Sequence, residues 1–107
     1  MKTNIRLKQQ ILALGDPTRL AIFERLERGP LAVMQISKGL PVTRPAVSQH
    51  LKVLKDAGLI RDNKAGNRRL YRLNPTALGE MRDYFQQIWA EALGTSKDTA
   101  KSVEDEI

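Results

Sequence analysis

The segment Thr43-Arg44-Pro45-Ala46-Val47-Ser48-Gln49-His50-Leu51-Lys52-Val53-Leu54-Lys55-Asp56-Ala57-Gly58 decides how this chain folds. Thr43 is a good helix N-cap, because its hydroxyl can accept a hydrogen bond from a free amide of the first turn. Pro45 falls in that turn, where a missing N–H is tolerated. Gly58 suits the left-handed residue just past a helix end. The spacing therefore predicts a helix running to Ala57. At 100° per residue, Arg44, Pro45, Ser48, Gln49, Lys52, Lys55 and Asp56 fall within roughly 140° of arc. Ala46, Val47, Leu51, Val53, Leu54 and Ala57 fill the opposite side, together with His50. One face can pack on neighbouring helices. The other shows three cations, a hydroxyl and an amide against a single acid.

Working outward, Leu31 to Gly39 reads as a short third helix with Val33, Ile36 and Leu40 turned inward. Leu40-Pro41-Val42 makes a tight connection to the fourth helix. Upstream, Asp16 caps a second helix and Pro17 opens it. That helix is predicted to reach Arg28, with Leu20, Phe23 and Leu26 as its core stripe and Gly29-Pro30 as its stop. Ile5 to Leu14 reads as a first helix, with Ile5, Ile11, Leu12 and Leu14 apolar, Lys8-Gln9-Gln10 exposed, and Gly15 ending it.

Downstream, strands over Leu59–Lys64 and Arg68–Leu73 flank a three-residue turn, Ala65-Gly66-Asn67. Gly66 and Asn67 permit the positive φ angles that such a tip uses. Tyr71 and Leu73 share one strand face and should pack inward. Asn74-Pro75 repeats the cap-and-proline signal, opening a long last helix to about Leu93 that Gly94 closes.

Two helices joined by a tight turn, followed by a basic hairpin, describe a winged helix-turn-helix. The expected fold is mainly α with a β-hairpin wing, in the order α-α-α-α-β-β-α. Residues 1–94 should form one DNA-binding and dimerisation domain, and 95–107 a polar, disordered tail.

The 107 residues are one domain's worth, and a 41% apolar fraction suffices for one modest core. With no cysteine, disulfides, thiolate metal sites and thiol chemistry are excluded. The only histidine, His50, lies in the apolar arc and reads as a packed residue rather than a ligand, so no metal site is expected. No cofactor is expected either. The longest run without a charge is the nine residues Gly29 to Ser37, far short of a membrane span. Without such a span or a signal-like apolar run near Met1, the cytoplasm is the default location.

Charge supplies the first functional clue. Lys and Arg number 18 against 12 acids, a net +6. Between Gln35 and Arg72 stand nine Lys or Arg and two Asp, so one third of the chain holds nearly all the excess. Such a concentration is the footprint of a polyanion partner, usually nucleic acid, although a solvated basic surface gives the same count.

The fourth helix suits double-stranded DNA. Gln49 can pair with adenine in bidentate fashion, and Arg44 with guanine. Ser48 can serve a base or a phosphate, and Lys52 and Lys55 can neutralise phosphates. The hairpin carries Lys64, Arg68 and Arg69 around its tip, with Arg61 and Arg72 along its strands, a cationic arrangement suited to flanking phosphates or the minor groove. The candidate DNA-contacting set is Thr43, Arg44, Pro45, Ser48, Gln49, Lys52, Lys55, Lys64, Asn67, Arg68 and Arg69. A winged-helix protein-interaction module without DNA binding is the alternative, and should have lost this cationic face. No Gly-rich phosphate loop, nucleophile beside a histidine, or buried carboxylate pair supports an enzyme.

Three blocks carry a family resemblance: Asp16-Pro17-Thr18-Arg19-Leu20, then Val47 through Leu59, then Gly66 with Arg68-Arg69-Leu70-Tyr71-Arg72-Leu73. In this order and spacing they resemble the ArsR/SmtB family of small winged helix-turn-helix repressors, over about residues 5–93. The resemblance implies a homodimer joined by its first and last helices, DNA held by the fourth helix and wing, and repression relieved by an effector. Family members that bind arsenic, cadmium or lead commonly use a Cys-x-Cys pair on the third helix, where Ala32 and Met34 stand here. Members that sense zinc, nickel or cobalt at the last helix use Asp-x-His and a later histidine. Here Asp83-Tyr84-Phe85 fills the first part and no histidine follows. The chain looks most like the metal-independent members, with its effector unidentified.

The implied dimer seam draws on Ile5, Ile11 and Leu12 of the first helix, and on Leu78, Met81, Phe85, Ile88, Trp89 and Ala92 of the last. Tyr84, Phe85 and Trp89 lie close together there, which suits either a dimer core or a small-molecule pocket.

Overall fold

The computed structural model describes residues 5–94. The predicted tail at 95–107 lies outside them. The elements run α1 (Ile5–Ala13), α2 (Pro17–Arg25), a 3-10 turn (Leu26–Arg28), β1 (Leu31–Ala32), α3 (Val33–Ser37), α4 (Arg44–Asp56), β2 (Ile60–Ala65), β3 (Arg68–Leu73) and α5 (Pro75–Ala92). Among the described residues no helix is long and apolar enough to cross a membrane.

Local chemistry starts three of the helices where the sequence places them. Asp16 Oδ2 accepts from the Arg19 amide at 3.0 Å, Thr43 Oγ1 from the Ala46 amide at 3.2 Å, and Asn74 Oδ1 from the Thr76 amide at 3.1 Å. A proline stands in the first turn of each helix.

The core gathers Ile22, Leu26, Ile36, Val47, Leu51, Leu54 and Leu59, all essentially without solvent contact. α4 packs on α2, α3 and the base of the hairpin, so it is held from several sides. Tyr71 and Leu73 pack against this core as expected, and Met81, expected in the seam, packs against it too.

Four expectations are corrected. Leu31-Ala32 is strand rather than the start of a helix, because it pairs antiparallel with Leu70 and Tyr71. The hairpin thereby becomes a three-stranded sheet in the order β1-β3-β2. The stripe of α2 centres on Ile22, while Leu20 is exposed and the last turn tightens to 3-10 from Leu26.

In α1 the inward residues are Leu7, Gln10 and Ala13, so Gln10 is buried rather than exposed. These positions recur every three residues and share one face, which turns Ile5 and Leu12 outward. The wing tip is also tighter than predicted. Ala65 pairs with Arg68, leaving the two-residue turn Gly66-Asn67. Gly66 takes φ +63°, whereas Asn67 does not enter the positive region. One positive angle, at the first central residue, is the pattern of a type II′ hairpin turn.

Two arginines fix the helix-turn-helix geometry. Arg19 Nε donates to the carbonyl of Ala13 at 2.7 Å, closing the end of α1 onto the start of α2. Arg25 Nη1 donates to the carbonyls of Ile36 and Lys38, tying α2 to the end of α3 and to the turn before α4.

Candidate nucleic-acid interface

α4 divides as its sequence predicts. Val47, Leu51 and Leu54 are buried, and Arg44, Pro45, Ser48, Gln49, Lys52, Lys55 and Asp56 are exposed. Thr43 is exposed at its start. Val53 departs from the expected pattern at 41% exposure, since it lies at the edge of the apolar arc beside α1. His50 is partly buried, with Nδ1 4.0 Å from Asp16 Oδ2, which is the packed position expected of it. Among the described residues no cluster of His, Cys, Asp and Glu could hold a metal ion.

Arg44, Ser48 and Gln49 form no side-chain hydrogen bond or ion pair within the described residues. They stand free at the N-terminal half of α4, the half that a recognition helix presents to base edges. The lysines differ. Lys52 Nζ pairs with Asp56 at 2.9 Å, and Lys55 Nζ with Asp62 Oδ1 at 2.9 Å.

Asp62 also accepts from Arg69 Nη1 at 2.9 Å through its other oxygen. Its side chain is only 7% exposed, so one screened carboxylate bridges α4 and the wing. The Lys55 ammonium, followed by the Arg69 guanidinium, holds the Asp62 carboxyl below the usual carboxylate range. Asp62 was not among the sequence candidates. Its signal was there, since it is the sole acid between Ala57 and Gly79, among five cations.

At the wing, Lys64, Asn67, Arg68 and Arg69 are all exposed. Lys64 and Arg69 stand opposite each other in the ladder, as do Ala65 and Arg68. Arg68 Nη2 reaches Gln35 Oε1 at 3.3 Å, and the same oxygen accepts from the Ala32 amide at 2.8 Å. The wing is therefore linked to α3 through Gln35 and to α4 through Asp62. Between α4 and the hairpin lies an open hollow of about 410 Å³ that brings Ser48, Lys52, Lys55 and Arg69 together.

On another face, α1 and α5 leave large apolar groups in solvent. Ile5, Leu12, Phe85, Ile88 and Trp89 are all exposed, Ile5 and Trp89 by 74% and 65%. Ala92 is exposed as well, while Ile11 and Leu78 are partly buried. Met81, also expected in the seam, is partly buried and packs against the core. The rings of Tyr84 and Phe85 meet edge to face at 5.4 Å.

Comparison with known proteins places this geometry. Residues 14–63 match a helix-turn-helix domain family. The chain is 57% identical over 81 residues to the HTH-type transcriptional regulator Rv2034 of Mycobacterium tuberculosis, covering 76% of each. Its fold is similar to that of an ArsR-like transcriptional regulator from Rhodococcus sp. RHA1, with TM-score 0.73 and 31% identity, covering 81% of this chain and 82% of that one. It is also similar to the homodimeric winged helix-turn-helix DNA-binding domain of Mb0332 from Mycobacterium bovis, with TM-score 0.65 and 25% identity over 81% and 80% of the two chains. These relatives are named as regulators, not as enzymes. With its helix-turn-helix, its paired wing strands and its free polar face on α4, the chain belongs to the ArsR/SmtB family of winged helix-turn-helix transcriptional regulators.

Proposed function

We propose that the protein is a homodimeric repressor that binds an inverted-repeat operator through two copies of α4 and the wing. The observation that carries this reading is the one-sided face of α4. Arg44, Ser48 and Gln49 are exposed and unpaired, opposite the buried Val47, Leu51 and Leu54. Arg44 and Gln49 read base edges, and Ser48 serves a base or a phosphate. Lys52, Lys55, Lys64, Arg68 and Arg69 neutralise phosphates, with Thr43, Pro45 and Asn67 against the backbone at the helix start and wing tip.

Lys52, Lys55 and Arg69 exchange their carboxylate partners for phosphates on binding. The dimer forms through Ile5 and Leu12 of α1 and Phe85, Ile88, Trp89 and Ala92 of α5. That reading is supported by their exposure and by the homodimeric relative. Residues 1–94 form one DNA-binding and dimerisation domain. With Ala32 and Met34 where thiophilic-metal members of the family carry their Cys-x-Cys pair, the inducing signal is not a thiophilic metal.

Selection of bound duplexes from a random pool tests the reading. Two α4 helices in successive major grooves require an inverted repeat with half-site centres about 10 bp apart, roughly 34 Å. Enrichment of a single unrepeated half-site, or of no sequence, contradicts it.

A further inference from the structure

Two arginines outside the proposed DNA-contacting set, Arg61 and Arg72, stand at the centre of a second basic cluster. Along β2 and β3, Asp62 and Tyr71 face the hollow that also holds Ser48 and Lys52. Side chains alternate along a strand, so the neighbouring Arg61 and Arg72 project from the other face of the hairpin. These two arginines stand directly opposite each other in the β2–β3 ladder, and both are exposed. Neither makes an ion pair or hydrogen bond within the described residues. Like charges directly across a ladder are destabilising unless something offsets them.

The pair opens onto a hollow of about 420 Å³ at the free edge of β2, where Arg6 and Lys55 also line the wall. Among the described residues that line it the one acid is Asp62, which Lys55 already engages. The floor is fixed. Gly58 has φ +86°, and a Cβ there would collide with the Arg6 guanidinium, so the missing side chain admits that group. Asn74 Nδ2 donates to the Gly58 carbonyl at 2.8 Å while its Oδ1 caps α5. The N-terminus of α5 thus adjoins the hollow and adds its partial positive charge.

We propose that this hollow binds a small phosphate-bearing anion, gripped by Arg61 and Arg72. Planar guanidinium groups suit bidentate contacts to phosphate oxygens, and two of them meeting across a ladder can hold two edges of one phosphate. Asp62 lines both this hollow and the one between α4 and the hairpin, so the two sites share a carboxylate. The site goes beyond DNA recognition and stands whether or not α4 reads sequence.

The test titrates inorganic phosphate and pyrophosphate into the full chain without DNA, at ionic strength fixed with chloride. Calorimetry and the Nε–Hε resonances of Arg61 and Arg72 are the readouts. One saturable anion per chain is expected, with both arginine resonances shifting together. Phosphate alone saturating the site identifies the free ion as a sufficient ligand. Preference for pyrophosphate identifies a larger phosphorylated molecule.

Arg61→Gln and Arg72→Gln should each weaken binding by about tenfold or more, with Arg82→Ala on α5 unchanged. The resonances in the unaltered chain decide the matter even if a variant fails to fold. Absence of saturable shifts at millimolar anion overturns the proposal. So does loss of DNA affinity with a shallower salt slope in both glutamine variants that leaves no anion binding to lose, which would assign the pair to the DNA backbone.

Discussion

Lys55 and Asp62 join the proposed recognition helix to the wing, with Nζ of one 2.9 Å from Oδ1 of the other. The second oxygen of that carboxylate engages Arg69 on β3. An acid in the middle of a basic surface opposes DNA affinity, yet here it bridges the two elements proposed to grip DNA. Asp62→Asn should cost about 1–2 kcal/mol of stability, since a screened acid with two cationic partners is lost. Two cations per subunit are also released, so affinity for random duplex should rise while the ratio of specific to random affinity falls. Thermal unfolding and binding curves on both duplexes check this. An unchanged ratio would show that the clamp does not orient the wing.

The same carboxylate makes stability depend on acid. In the folded chain Asp62 titrates below its usual value of 3.8, chiefly because of the Lys55 ammonium. Asp16 is also lowered, chiefly by the Arg19 amide. The unfolded chain therefore binds more protons between the two values of each group. Their contribution is fully present above about pH 5 and is lost as pH falls through the folded values. Urea midpoints should drop below about pH 4, and less steeply in Asp62→Asn than in the parent chain. Parallel pH profiles for the two would remove Asp62 from the account.

Gly58 ends α4 at φ +86° with the Arg6 guanidinium over its Cα. Gly58→Ala should destabilise by about 1–2 kcal/mol, from the left-handed backbone alone. The displaced Arg6 adds little, because the far end of a flexible side chain can move. Chemical denaturation measures the change, and a neutral substitution would contradict the cap geometry.

Trp89 and Phe85 lie exposed on α5. If this face is the dimer seam, the parent chain sediments as a dimer at micromolar concentration and Trp89→Glu as a folded monomer. A monomeric parent chain would refute the seam.

What could be read from the sequence was what is local. The caps at Asp16, Thr43 and Asn74, and the split face of α4, depend on residues within one or two turns, so their chemistry is visible in order along the chain. The largest corrections involve partners far away in sequence. Leu31-Ala32 becomes strand only because Leu70 and Tyr71 lie beside it. Gln10 is buried because α1 turns Leu7 and Ala13 to the core and leaves Ile5 and Leu12 outside. The exposure of Ile5 and Leu12 suits the partner surface to which the family resemblance assigns them. The Asp62 bridge and the Arg25 clamp on Ile36 join elements whose proximity only the fold supplies.

The division of labour on α4 and the wing is tested most directly by binding curves over a range of salt, on cognate and random duplexes, for Gln49→Ala, Lys52→Ala and Arg68→Ala. Gln49→Ala should weaken the cognate site by about 1–3 kcal/mol, leave random binding nearly unchanged and keep the salt slope. Lys52→Ala and Arg68→Ala should weaken both duplexes alike. Each should shallow the log–log salt slope by about two units, because the dimer carries two copies of each cation. Equal loss on both duplexes for Gln49→Ala, or altered base preference with an unchanged slope for Arg68→Ala, would contradict the assignment of sequence reading to α4 and of phosphate contact to the wing.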